Sequence, residues 1–239
     1  MAVKGVLRVL SLVLLLTGAR NGFAQNFTNL DFEDATIVRE GVAGLPPPVG
    51  NDIVASNAIP GWTAYVNGNP RGFIVFDSTT GGGIELVGTN NYMVSPTPVP
   101  GGVDPVQGDY SIVLRSGGIA RGDLLTASIG QTGTIPVIAQ AMTFEGNFDG
   151  KISFAGHDLD YSVTGKVGTY NIYTADIVSF SGQTGQLLFS TLPSINGLTE
   201  LGGIIDNIQF IAVPVPEPGT MALFAAGILF LRRLRKSSH

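Results

Sequence analysis

Residues 109–129 read Asp-Tyr-Ser-Ile-Val-Leu-Arg-Ser-Gly-Gly-Ile-Ala-Arg-Gly-Asp-Leu-Leu-Thr-Ala-Ser-Ile, and this stretch decides the fold. Two runs rich in β-branched and aliphatic residues, 110–115 and 124–129, flank a break at Gly117-Gly118. Short apolar runs bounded by glycine are the pattern of paired strands. The same pattern continues toward the C-terminus, with strands expected at 135–144, 151–155, 159–164, 169–175, 186–191 and 204–212. Turn residues separate them: Gly133, Asn147, Gly165, Gly182, Gly185, Asn196-Gly197 and Gly202-Gly203. Toward the N-terminus, Leu30 and Phe32 alternate with Asn29, Asp31 and Glu33, which predicts a strand over 29–33 with one buried side. Further strands are expected at 63–66, after Pro60-Gly61-Trp62, and at 73–77 and 84–87 on either side of Gly81-Gly82-Gly83. Pro46-Pro47-Pro48 and the Pro/Gly segment 95–102 read as loops. No internal stretch sustains a 3.6-residue period, so little helix is expected. Many short strands at such spacing predict an all-β, jelly-roll-like β-sandwich.

The two ends of the chain have a different character. Residues 1–24 carry basic Lys4 and Arg8, an apolar run over 9–16 and the small-residue site Gly22-Phe23-Ala24. That is the layout of a signal peptide cleaved after Ala24, whose apolar run would form a short signal helix. The last 26 residues, 214–239, form a breaker, an apolar rod and a basic plug. Pro214, Pro216 and Pro218 surround Glu217; an uncharged run follows over 221–231; then come Arg232, Arg233, Arg235 and Lys236. The rod would be about 16 Å long as a helix, short for a comfortable bilayer crossing. Arginines and a lysine at its end can snorkel to the cytoplasmic side. The expected organisation is a signal peptide at 1–24, a sandwich domain at 25–213, and a tail with a short transmembrane helix at 214–239.

Composition narrows the function. The span 25–213 holds six Lys/Arg and seventeen Asp/Glu, a formal charge of −11 against −5 for the whole chain. An acidic body excludes nucleic acid, whose phosphates demand a basic surface, and suits calcium, which takes oxygen ligands. The chain has no cysteine and two histidines, His157 and His239. Disulfide staples, zinc thiolate sites and multi-histidine centres are therefore excluded.

Pro216-Glu217-Pro218, the short apolar run and the cluster Arg232, Arg233, Arg235 resemble the PEP-CTERM sorting signal of Gram-negative bacteria. The resemblance implies an exosortase-type sorting protease as partner, membrane attachment through the tail before processing, and export to the cell envelope, surface or extracellular matrix. Family members are often linked to exopolysaccharide and biofilm. The body resembles galactose-binding-like jelly rolls of the carbohydrate-binding-module type at 29–33, at Pro60-Gly61-Trp62, at 108–114 and at 204–210. In those folds the first and last strands lie close together and often hold a structural calcium ion. The resemblance places Glu33 and Asp206 at that site, with Asp31, beside Glu33, and Asp109 as assisting acids.

Trp62, the only tryptophan, reads as a core anchor after its Pro-Gly turn. Tyr65, Tyr92, Tyr161, Tyr170 and Tyr173 offer alternative faces for the apolar side of a sugar. Tyr170 and Tyr173 stand an odd number of residues apart, so a regular strand turns them to opposite sides. His157, Asp158 and Asp160 form the one cluster of catalytic residue types, and a loop histidine beside a solvated turn accounts for it. No Gly-x-Ser-x-Gly elbow is present. The expected function is that of an exported, non-enzymatic surface or matrix component, structural, adhesive or polysaccharide-binding, with no assigned ligand-binding residues. The alternative is a secreted glycan hydrolase.

Overall fold

The computed structural model describes residues 27–38, 52–76, 83–88, 104–117, 125–193 and 200–212. The expected signal peptide, the Pro46–Pro48 and 95–102 loops, Tyr92 and the tail 214–239 lie outside these residues. The described chain folds into two β-sheets packed as a sandwich. In chain order the elements are β1 (Asp52–Val54), α1 (Ala55–Ala58), β2 (Thr63–Val66), β3 (Asn69–Arg71), β4 (Phe73–Phe76), β5 (Gly83–Gly88) and β6 (Tyr110–Ser116). There follow β7 (Ala127–Thr134), β8 (Ala139–Phe148), β9 (Gly150–Phe154), β10 (His157–Leu159), β11 (Tyr161–Val167), β12 (Tyr170–Asp176), a 3-10 turn (Val178–Phe180), β13 (Thr184–Thr191) and β14 (Glu200–Ala212). The larger sheet runs β1-β4-β5-β6-β14-β8-β12-β11 and the smaller β10-β9-β13-β7-β2-β3. Among the described residues only the β4–β5 pair is parallel.

Alternation along each strand sends one set of side chains between the sheets. The resulting core is aromatic at its centre. Phe144 stacks on Tyr173 with centroids 4.7 Å apart and meets Phe189 edge-on at 5.4 Å. Phe189 leads to Trp62 at 6.4 Å, and Trp62 to Phe32 at 5.7 Å. Trp62 is 5% exposed, and its indole N–H donates to the Asn29 carbonyl at 2.9 Å. Trp62 is thus a core anchor, its one polar atom satisfied.

Several local expectations are corrected. Residues 29–33 form a turn instead of a strand, because Asn29 and Phe32 adopt φ of 49° and 60°. Asn29 Oδ1 accepts from Asp34 N at 3.0 Å, and Asp31 Oδ1 from Glu33 N at 3.4 Å. Short Asx side chains here offer the backbone an alternative to ladder pairing. The expected burial alternation holds only over Asp31, Phe32 and Glu33: Asn29 is buried and Leu30 only half-buried. Gly133 is no turn. It lies inside β7 because a Cβ there would stand 2.8 Å from the Phe27 ring. The turn falls at 135–138, where Pro136 has no N–H to give a ladder, and β8 begins at Ala139.

The single strand expected at 159–164 is two strands in different sheets, β10 and β11, divided at Asp160. Asn147 and Gly185 sit within β8 and β13. Gly165 and Gly203 mark register shifts inside β11 and β14. β1, β3 and the short helix α1 carried no clear sequence signal. His157 opens β10 and does not lie in a loop.

Candidate functional site

β14 lies in the interior of the larger sheet, between β6 and β8. The N-terminal segment packs against its C-terminal half: Ile208 N donates to the Leu30 carbonyl at 2.9 Å, and the Phe27 and Phe210 rings lie 5.2 Å apart. This contact brings Glu33 and Asp206 to one loop, 104–110, which precedes β6.

Asp206 alternates with the core residue Ile205 and so points to the outer side of the sheet, where it is 1% exposed. Its Oδ2 accepts from the Ser111 hydroxyl at 2.7 Å and from Gln107 N at 3.0 Å, and its Oδ1 accepts from Asn207 N at 2.6 Å. Ser111 Oγ in turn accepts from Val106 N at 2.8 Å. Glu33 holds the other end of the loop. Its carboxylate accepts from Asp109 N at 2.9 Å and 3.0 Å and from Tyr110 N at 3.1 Å. Between the two acids sits Gly108 at φ +63°, where a Cβ would lie 2.6 Å from Glu33 Cδ. Glycine is required on both counts: for the backbone conformation and for the approach of the carboxylate.

The loop is therefore strung between two carboxylates on backbone N–H groups. Burial pushes the Asp206 carboxyl up to about 7, against the opposing hydrogen bonds from Ser111, Asn207 and Gln107, and the charge of Glu33 adds to the rise. Across the ladder Asp206 pairs with Glu145 on β8. Glu145 Oε1 accepts from Asn207 Nδ2 at 2.8 Å, and its buried Oε2 has no partner.

Of the three expected calcium ligands, Glu33 and Asp206 are brought to the same loop. Asp31 lies in the turn before it, its Oδ1 taken by Glu33 N. Among the described residues no group of three or more His, Cys, Asp or Glu side chains gathers as a metal site. A calcium ion at Glu33 and Asp206 would have to displace N–H donors and recruit backbone carbonyls, since it takes 6–8 oxygens. Sequence reading missed Ser111, Glu145, Asn207 and the amides of 106–110. The one available signal was Gly108-Asp109, a turn dipeptide directly before a strand.

The tyrosines divide by face. Tyr173 is 6% exposed in the core, and Tyr161 packs beside it with its hydroxyl on the Gly150 carbonyl at 2.9 Å. Tyr173 is thereby removed from the set of sugar platforms, while Tyr161 is half-buried. Tyr170 lies on the opposite side of the sheet from Tyr173, against Val87, Val113 and Ile204, and donates to the Asp104 carbonyl at 2.9 Å. Tyr65 sits on the outer side of the smaller sheet, its hydroxyl accepting from Gln186 Nε2 at 3.1 Å.

That outer side is polar and nearly uncharged. Tyr65 pairs with Ser128, Ser128 with Ser190, and Thr132 with Gln186 across β2, β7 and β13. Ser190 donates to Ser128 at 3.0 Å, and Thr134 and Thr184 hydroxyls meet at 2.7 Å. Among the described residues charge enters this side at β9 and β10: Lys151 pairs with Ser190 and stands 3.8 Å from Asp158. There Lys151, Asp158, Asp160 and Tyr161 line a groove of about 280 Å³. His157 points elsewhere, against the Phe180 ring at 5.9 Å.

Residues 214–236 match the PEP-CTERM protein-sorting motif. The match includes Pro216, Glu217, Pro218, Arg232, Arg233 and Arg235. It marks an exported protein, handled by an exosortase-type partner at the cell envelope or surface. No curated protein and no solved structure matches the chain.

Proposed function

We propose that the sandwich is a non-catalytic, polysaccharide-binding or adhesive component of the cell surface or extracellular matrix, presented by the sorting tail. The observation that carries this reading is the outer face of the smaller sheet. Tyr65 pairs with Ser128 and meets Gln186 through its hydroxyl, and Ser190 and Thr132 lie on the same face of the paired strands. Such groups exchange hydrogen bonds with sugar hydroxyls, and an aromatic face suits the apolar C–H side of a pyranose. Because the face is uncharged at its centre, neutral polysaccharide is the fitting class. The resemblance of the body to galactose-binding-like modules supports the same reading.

A glycan array probed with the protein tests it. Binding to neutral glycans is expected, and Tyr65→Ala should abolish it with the unfolding midpoint held. Absence of binding, or binding that Tyr65→Ala leaves intact, refutes the assignment. The alternative, a secreted glycan hydrolase, is favoured by Asp158 and Asp160 in one groove. Release of reducing sugar by the wild type and its loss in Asp160→Asn would establish that reading.

A further inference from the structure

The end of the sandwich from which the chain leaves exposes several aliphatic side chains. β14 ends at Ala212, which pairs with Ala139 at the start of β8, while Asp176 at the end of β12 pairs with Ala141. The 135–138 turn is tied to the segment before β13: Gly182 N donates to the Ile135 carbonyl at 2.9 Å, and Ile135 N to the Gln183 carbonyl at 3.0 Å. Four elements thus meet at this end. On it Val137, Ile138, Val178 and Ile211 are exposed by 51%, 54%, 56% and 38%. Residues 135–141, 177–186 and 207–212 contain no charged side chain. Two exposed acids border this end: Asp176, which accepts from Val178 N at 3.0 Å, and Asp160, next to Tyr161, the ladder partner of Ala175. In a body with a formal charge of −11, such a face is not an average sample of the surface, and exposed aliphatic clusters mark contacts.

The position of the exit specifies the contact. The sorting motif starts at Pro214, two residues past the end of β14. The apolar run 221–231 begins after eight connecting residues, 213–220, which span roughly 27 Å at most when extended. While that run is held in a bilayer, this end of the sandwich stays within roughly 27 Å of the membrane.

We propose that Val137, Ile138, Val178 and Ile211 form a lipid-seating face that rests in the headgroup–acyl boundary until the tail is processed. The proposal rests on the reading of 221–231 as membrane-held. Aliphatic tips with little charge partition into that boundary without the cost of desolvating an ion. Seating would fix the orientation of the body over the membrane and leave the sugar face of the smaller sheet to the side.

The chain has no cysteine, so single labels are available. The full chain carrying Ile138→Cys or, at the far end of β13, Leu192→Cys is labelled with a nitrobenzoxadiazole probe. It is then reconstituted in phosphatidylethanolamine–phosphatidylglycerol vesicles. Both positions are exposed, at 54% and 42%, so the labels should leave the fold intact. Flotation with the vesicles tests the tail. If the chain does not float, the membrane-held reading fails and this proposal falls with it. With the chain floated, iodide should quench the Ile138 probe about threefold less than the Leu192 probe, with lipid-borne doxyl groups reversing the order. Equal iodide quenching shows that the body stands off on residues 213–220 and overturns the proposal. So does protection of Ile138 without vesicles, which assigns the face to residues 221–231. Protection that follows protein density instead of lipid assigns it to a second copy, and is equally a refutation.

Discussion

Burial of Asp206 makes stability depend on pH with a sign opposite to that of a salt-bridged carboxylate. The unfolded chain releases this proton near 3.8, while the folded chain holds it to about 7. Folding therefore takes up a proton between those values. The associated stability is fully present below the unfolded pKa and is lost as pH rises through the folded one. A displacement of this size is worth on the order of 4 kcal/mol in full. Between pH 5 and pH 8, away from ordinary carboxylate titration, the loss should be about 2–3 kcal/mol. Urea unfolding at fixed temperature, followed by the single buried Trp62, measures it; the slope m should stay constant across the series. Asp206→Asn is the control. Its amide sets N–H against the Gln107 N–H or the Ser111 hydroxyl, so it should be less stable at pH 5 by about 1–3 kcal/mol. The pH-dependent loss should vanish in it. A wild-type stability that is flat from pH 5 to 8, or a slope that persists in Asp206→Asn, refutes the reasoning.

Other perturbations test the frame around that carboxyl. Trp62→Ala should cost about 3–5 kcal/mol, since it opens a cavity between Phe32 and Phe189 and orphans the Asn29 carbonyl; thermal unfolding by circular dichroism reads it. Gly108→Ala should cost about 1–3 kcal/mol through its positive φ and the collision with Glu33. Combined with Glu33→Ala it should be less than additive, because the collision is then gone. The calcium proposal is decided by unfolding midpoints in EDTA and in millimolar calcium. A metal bridge adds about 2.7 kcal/mol at a hundredfold excess over the dissociation constant, and Glu33→Gln/Asp206→Asn removes the gain. A midpoint that calcium leaves unmoved assigns the counter-charge to the backbone N–H groups alone. Alanines at Pro216, Glu217 and Pro218 should leave export intact and block tail processing, seen as a larger membrane-held form on immunoblots.

Short-range patterns in this chain were legible because their causes are local. Apolar alternation and glycine breaks specify strands, and strands of this length and spacing must cover one another to bury a core. The all-β sandwich follows from that, and so does the placement of Tyr170 and Tyr173 on opposite faces. The sorting tail was equally legible, being a linear signal. Turns competing with strands were not. At 29–33 Asx side chains captured the backbone, and at Gly133 the need was space for the Phe27 ring, which no local pattern encodes.

Within the site, the acids Glu33 and Asp206 could be named from sequence, but not what they hold. Apart from the Ser111 hydroxyl and the adjacent Asn207 amide, their partners are amides of a loop more than seventy residues from either acid, and an amide carries no residue-type signal. The unusual proton affinity of Asp206 likewise comes from dry surroundings assembled by β6, β14 and the loop. It is a property of packing, and packing is settled only when the tertiary structure closes. The apolar exit face has the same origin. Val137, Ile138, Val178 and Ile211 are scattered along the sequence, and only the packing of four element ends brings them to the end of the sandwich where β14 stops.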